Sequence, residues 1–376
     1  METLVKKVSG FVRKHPLYTA VIAALLFIVF VVATSLYSNA VVWNLNTNNG
    51  PAPGLAQGRG GSQSLTQTLV QYDAFQYTHI AQYGYTNPSY RAFLPGYPLL
   101  IRLVSRVLSI SVDYAALVVP WVSLCAAAVV LYKWIKFELD AAGKKISPWL
   151  AMGLIAAFPT AMFFVLPYTE SLFLLLNVSA LLLYRKEKYV FAGVMAALSS
   201  VTRFQGLMLI VFFAADFLLA KKRRDYRKLV AIVPIILLFG AYMVYLHIHT
   251  GNALAFISAE KYWGRLSGNI VSNVIHSIRP LYLWFIPVGL VGLWTVWKYM
   301  GWAYFLYSLA FFLLPISSGS LVSINRYMVS FLPMFLGLTI FGAESAPKPV
   351  KLLYVGSSVF LLAWSILLFA NGYWVA

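Results

Sequence analysis

Cysteine is almost missing from this 376-residue chain: the single Cys125 rules out an intramolecular disulfide. With five histidines and no paired Cys and His spacing, no metal-ligand motif can be read either. Acids are scarce, at 11 Asp and Glu against 29 Lys and Arg. Charged residues make up 11% of the chain, where a soluble domain carries about 25%. A mean hydropathy of +0.76 excludes a water-soluble enzyme, a disordered chain and a collagen-like chain. Neither GxxxxGK[ST] nor HExxH occurs, so a nucleotide site and a zinc-protease site are both unsupported. No repeat of 20–50 residues and no matched halves are evident.

Apolar runs fill the chain instead. A bilayer-spanning helix needs about 17–25 mainly apolar residues. Suitable segments are 17–37, 112–133, 147–166, 168–184, 189–203, 204–220, 229–249, 279–298, 301–316, 326–342 and 351–371. The expected fold is an all-α integral membrane protein of about 11 transmembrane helices, forming a single domain over residues 1–376. The first apolar run is longer than a signal-peptide core and reads as an anchor.

The net charge of +18 orients the chain. Cytoplasmic loops collect Lys and Arg. With the N-terminus inside and 93–110 lying on the membrane without crossing, twenty bases fall on the inner side, including the cluster at 221–228. Nine remain outside. Letting 93–110 cross would move that cluster outward, so the expected topology is N-in and C-out. Two long outer loops result, 38–110 with juxtamembrane helices and 251–278. The first opens with a Gly-, Asn- and Pro-rich stretch (Asn44 to Gln67) that reads as flexible. A short surface helix is expected from Tyr72 to Gly84.

Polar residues on the outer side have two readings each. Asp73 at the start of the surface helix suits the helix dipole, and it equally suits a general base with Gln76 and Tyr77 on the same face. Glu170 suits a first helical turn after Pro167, or a polar contact in a cavity. Arg203 and Arg326 either snorkel or hold a phosphate bidentately. Lys261 and Arg265 flank Trp263, as interfacial anchors do and as a site for an anionic headgroup would. His79 is expected to bond a neighbour or to face the headgroups.

Several motifs together resemble one family. Tyr72-Asp73-Ala74 with Tyr77, Ile80-Ala81 and Gly84-Tyr85 resembles the W-D-x(3)-Y-x(2)-I-A-x(2)-G-Y element of PIG-V-like mannosyltransferases. Phe93-Leu94-Pro95-Gly96-Tyr97-Pro98 resembles their F-F-P-L-Y-P. Phe158-Pro159-Thr160-Ala161 and Pro167-Tyr168-Thr169-Glu170-Ser171-Leu172-Phe173 resemble F-P-x-A and P-Y-[ST]-E-[SA]-L-F. Thr202-Arg203 with Gly206, and Arg326-Tyr327 with Phe331 and Pro333, resemble the later T-R-x(2)-G and R-Y…F-P. Tyr72 stands where the family has Trp, and Leu94 and Gly96 depart from its pattern.

The resemblance implies a GT-C glycosyltransferase with a multi-span helical fold. Its implied activity is mannose transfer, with inversion, from a polyprenyl- or dolichyl-phosphate donor to a lipid- or glycan-linked acceptor on the outer or luminal face. Asp73 would be the base. Arg203 and Arg326, assisted by Lys261 or Arg265, would hold the phosphate, while Tyr77, Tyr168 and Glu170 would contact substrate. No cofactor, tightly held metal or nucleic acid is implied. The implied location is the cell membrane, or the endoplasmic reticulum membrane in a eukaryote. Rival readings are a transporter or lipid flippase, a non-catalytic subunit of the same fold, and a transferase using another lipid-linked sugar. The outer grouping of acids and motif residues disfavours transport, which would place polar groups through the midplane.

Overall fold

Helices follow the apolar runs. The computed structural model describes residues 10–41, 64–220, 225–265, 275, 282–317 and 321–375, and among these no strand occurs. In chain order the helices are α1 (Pro16–Val41), α2 (Leu65–Leu69), α3 (Asp73–Tyr83), α4 (Gly96–Leu108), α5 (Val112–Ala141), α6 (Pro148–Ala156), α7 (Glu170–Arg185) and α8 (Tyr189–Thr202). There follow α9 (Leu209–Leu218), α10 (Val233–Thr250), α11 (Ala255–Ser258), α12 (Tyr282–Met300), α13 (Trp302–Ser317), α14 (Ile324–Met328), α15 (Leu332–Glu344) and α16 (Lys348–Ala370). Short 3-10 turns at Pro88–Ala92, Ala161–Phe164, Phe204–Met208, Tyr226–Ala231 and Ala259–Trp263 join them.

Each of the eleven expected apolar segments contains helix. Four stretches are by themselves long and apolar enough to cross a membrane: Pro16–Ala40, Val112–Ala141, Tyr226–Thr250 and Lys348–Ala370. Three of them turn apolar side chains outward. Leu26 and Val29 of α1, Ile236 and Leu237 of α10, and Leu353 and Phe360 of α16 are all exposed. A helix that is apolar all round but only part-buried needs hydrocarbon around it. The fold therefore fits a helical membrane protein.

The core runs along α5, α7 and α8, with α10 beyond α8 and α12 packed on α15. α1 and α16 lie together. Asn39 Nδ2 donates to the Ala370 carbonyl at 3.1 Å, and Asn371 Nδ2 to Ser38 Oγ at 2.8 Å.

Two expected spans are broken. Over 147–166 the helix stops at Ala156, because Pro159 lacks the amide hydrogen that the next turn would need. The irregular backbone from Phe158 to Thr169 is buried, and side chains satisfy two of its carbonyls. Trp121 Nε1 donates to Val165 O at 2.9 Å and Ser171 Oγ to Phe164 O at 2.5 Å. Thr160 Oγ1 returns a bond to Asn325 O at 2.8 Å. Over 326–342 the helix breaks between Met328 and Leu332, ahead of Pro333. The Thr160–Asn325 bond ties the first break to α14, just ahead of the second, and a charged residue adjoins each break, Glu170 at the start of α7 and Arg326 in α14.

Two boundaries differ from the sequence reading. α5 continues to Ala141, which brings Glu138 and Asp140 into a helix. Residues 64–67, read as the end of a flexible stretch, open α2. Its capping box pairs Ser64 and Gln67. The rest of that stretch (42–63), the base cluster 221–224, Arg279 and most of 266–278 lie outside the described residues.

α4 lies beside the bundle with Leu99, Leu103 and Val107 exposed on one side and Tyr97 and Ile101 buried on the other. A side chain on Gly96 would meet Thr202 Oγ1 at 2.8 Å and Val201 O at 2.9 Å. The glycine thus lets the start of α4 press on the end of α8.

Candidate active site

The site is built from helix ends. α3 begins at Asp73, and the residue before it, Tyr72, has φ 55°. A non-glycine residue in such a sparsely populated backbone region costs of order 1–3 kcal/mol. Its phenol holds it there by donating to the Gly372 carbonyl. Its ring packs on Phe369 at 5.8 Å and Trp374 at 5.0 Å. The sharp entry lets Asp73 face across the bundle to α14.

Arg326 of α14 is the centre of the arrangement. Its Nη1 lies 2.5 Å from Asp73 Oδ2 and its Nε 2.5 Å from Glu170 Oε1. Aromatic faces enclose the guanidinium: its carbon is 4.8 Å from the Tyr168 ring, 5.4 Å from Phe163 and 5.9 Å from Trp374. Glu170, first residue of α7, is fully buried, and the same Oε1 accepts from Arg203 Nη1. Arg203 also donates to Thr169 Oγ1 at 3.0 Å and lies between Phe173 at 5.7 Å and Tyr327 at 5.1 Å. Glu170 Oε2 is buried with no hydrogen-bond partner among the described residues. Two carboxylates and two guanidiniums thus make a neutral foursome, the arrangement that buried charge requires.

Arg203 reaches this position because the chain turns sharply after α8. It takes an extended conformation (φ −144°, ψ 141°) and the 3-10 turn Phe204–Met208 follows. Gly206 in that turn lies so close to the Ser199–Ser200 backbone that any β-carbon would collide with it. Here the T-R-x(2)-G spacing has a steric cause.

A second layer adjoins the first through Tyr327. The Tyr327 phenol oxygen accepts from Arg265 Nη1 at 3.2 Å. Arg265 also pairs with Glu260 Oε2 at 3.3 Å and donates to Val322 O at 3.3 Å. Burial pushes the Glu260 carboxyl up, against the opposing pull of Arg265. Tyr77 is buried edge-on against Phe93 and Tyr97, each at 5.1 Å. Tyr168 donates its phenol hydrogen to Gln71 O at 2.8 Å.

Of the residues singled out from the sequence, Asp73, Tyr77, Tyr168, Glu170, Arg203, Arg265 and Arg326 come together. Lys261 does not join them. The chain turns at Gly264 (φ +70°). Arg265 faces inward, whereas Lys261 lies over the Tyr262 ring at 5.2 Å in a separate cleft. His79 bonds Thr86 Oγ1 at 2.8 Å. Tyr327, Thr169 and Trp374 are parts of the site that the sequence reading passed over. Tyr327 and Thr169 sit within the motif segments themselves, while nothing local marked Trp374. Among the described residues, no group of three His, Cys, Asp or Glu side chains could hold a metal ion.

No protein-family model matches the chain. It shows distant homology to GPI mannosyltransferase 2 of Aspergillus fumigatus, 29% identical over 171 residues. The match covers 41% of this chain and about a third (34%) of that relative's length.

Proposed function

We propose that this protein is a membrane glycosyltransferase that moves a sugar from a polyprenyl- or dolichyl-phosphate carrier to a hydroxyl of a lipid- or glycan-linked acceptor. The observation that carries this reading is the Asp73–Arg326–Glu170–Arg203 foursome. Residues up to 253 positions apart in sequence meet there, and they are the ones on which the family resemblance rests. The similarity to a mannosyltransferase supports mannose as the sugar. Helices with apolar outer faces supply what a polyprenyl tail needs, a protein embedded beside it in the membrane. The reaction is assigned to the outer or luminal face, the side that the charge pattern leaves poor in bases.

A lipid phosphate is a good leaving group, so the protein's main tasks are orientation, proton removal and charge stabilisation. Asp73 is one-quarter exposed and accepts the acceptor hydroxyl's proton. The hydroxyl oxygen forms a bond to the anomeric carbon from the face opposite the phosphate. The bond from that carbon to the phosphate oxygen breaks, and its electron pair leaves with the carrier phosphate. The sugar is inverted. Arg326 and Arg265 stabilise the phosphate. Arg203 is a positioning residue: its Nη1 is committed to Glu170 and Thr169, and two rings cover its faces. Glu170 holds the two buried guanidiniums apart in a fixed geometry.

The test is purified protein in lipid vesicles, supplied with polyprenyl-phosphate sugars and total lipid extract, with products identified by mass spectrometry. Asp73→Asn is expected to lower transfer at least about 100-fold, the scale of a lost general base. Full transfer by Asp73→Asn would overturn the assignment of the base. Absence of product from every donor, together with substrate flux across sealed vesicles, would favour the transporter.

A further inference from the structure

The cleft that takes Lys261 lies between the Pro88–Ala92 turn and the segment from α11 to Trp263. It is an open cleft of about 170 Å³. Two cations line it, Arg91 and Lys261, and no acid does. Neither cation pairs with a carboxylate among the described residues. Polar groups complete the lining. Asn252 Nδ2 donates to Ser258 Oγ at 3.1 Å, which leaves the serine hydroxyl hydrogen available to an anion. The walls are tied together: Trp263 Nε1 donates to Ser89 O at 3.1 Å, and the Trp263 ring packs edge-on to Phe93 at 5.3 Å. A pre-formed pair of cations beside hydroxyl and amide donors is a phosphate-binding composition.

Its depth points to a lipid. Thr250, the last residue of α10, lines the cleft, and the Tyr226–Thr250 stretch is one of the four long enough to cross a membrane. The end of a spanning helix sits at headgroup level. Around the α10–α11 join apolar side chains are exposed: Ile248 (72% exposed), Leu254 (46%) and Ile257 (37%). We infer that this cleft binds the phosphate of an anionic lipid headgroup, its acyl chains lying along the α10–α11 surface. The inference is independent of the transferase reading, and the ligand is distinct from the phosphate assigned to Arg326 and Arg265.

The experiment uses the full chain in nanodiscs of phosphatidylcholine containing phosphatidylglycerol, with retained lipids counted by native mass spectrometry. The wild type is expected to keep one phosphatidylglycerol that an R91Q/K261Q double variant loses at least about tenfold more readily, the scale of charge-assisted bonds. An R91K/K261R variant should keep it, and unchanged melting of all three proteins shows that the fold is intact. Equal retention by R91Q/K261Q would overturn the inference. So would an equal loss in K348Q/K351Q, which changes the same number of charges elsewhere. Displacement of the lipid by millimolar inorganic phosphate in place of a second anionic lipid would make this a site for free phosphate and overturn the lipid assignment.

Discussion

Arg326 touches Asp73 with one end of its guanidinium while its Nε holds Glu170, each contact at 2.5 Å. One side chain therefore joins the start of α3 to the start of α7. Because Glu170 Oε1 also takes Arg203, a single buried carboxylate oxygen serves two cations.

Removing that carboxylate's charge should unfold the site. Glu170→Gln leaves two buried guanidiniums without their shared anion, and breaking a buried pair costs about 3–5 kcal/mol. The variant is expected to melt well below the wild type in detergent, followed by tryptophan fluorescence. Identical melting curves would mean that Glu170 does not hold the two arginines.

Two glycine substitutions should separate close approach from helix propensity. Gly206→Ala drives a β-carbon into the Ser199–Ser200 backbone, and overpacking of this kind costs about 1–3 kcal/mol. In α6, Gly153 has nothing within 4 Å of an added β-carbon, so Gly153→Ala is expected to be neutral or stabilising by about 0.5–1 kcal/mol. Thermal melting of the two variants checks both signs.

Trp374 should matter to turnover more than to folding. It packs on Tyr72, Phe163 and the Arg326 guanidinium. Trp374→Ala removes one wall around Arg326 and part of the support for the strained entry to α3. Small misplacements of reacting groups can cost up to about 100-fold. The expected result is kcat lowered by roughly tenfold or more, KM for the acceptor little changed, and recovery with Trp374→Phe. Wild-type kcat in Trp374→Ala would remove Trp374 from the site.

Glu260 supplies a pH test. Burial raises its carboxyl above the ordinary value in the folded protein. The folded form therefore takes up a proton more readily than the unfolded chain. The stability contributed by this proton is present below the unfolded value and is lost as pH rises through the folded one. Glu260→Gln cannot ionise, so its melting temperature is expected to gain on the wild type as pH rises from 4 to 7. A gap that shrinks over that range, or stays constant, would contradict the direction.

Much of the fold was legible because apolar length alone dictates a spanning helix. The segment 168–184 corresponds to Glu170–Arg185 and 189–203 to Tyr189–Thr202. The break at Phe158–Pro159 was written in the motif but submerged in a continuous apolar run. At the site, the residue types were legible and the partners were not. Asp73 and Arg326 are 253 positions apart, and no local pattern states which of several outer arginines closes on which acid. Lys261 and Arg265 look equivalent at i and i+4 of one helix. The left-handed turn at Gly264 ends that helix between them and sends them to different places. Trp374 was invisible because its relevance arises from the segment after α16 packing on Tyr72, Phe163 and Arg326, a tertiary fact.

The shared grip of Arg326 has a kinetic consequence. With every charge in the foursome already matched, an incoming phosphate must compete with Asp73 for the same guanidinium end. Success in that competition releases Asp73 Oδ2 to receive a hydroxyl hydrogen. Arrival of the carrier would thereby unlock the base, and acceptor binding beforehand would find it occupied. On the proposed reading, an interlock of this form orders addition, carrier first, and keeps the base engaged until the carrier is seated.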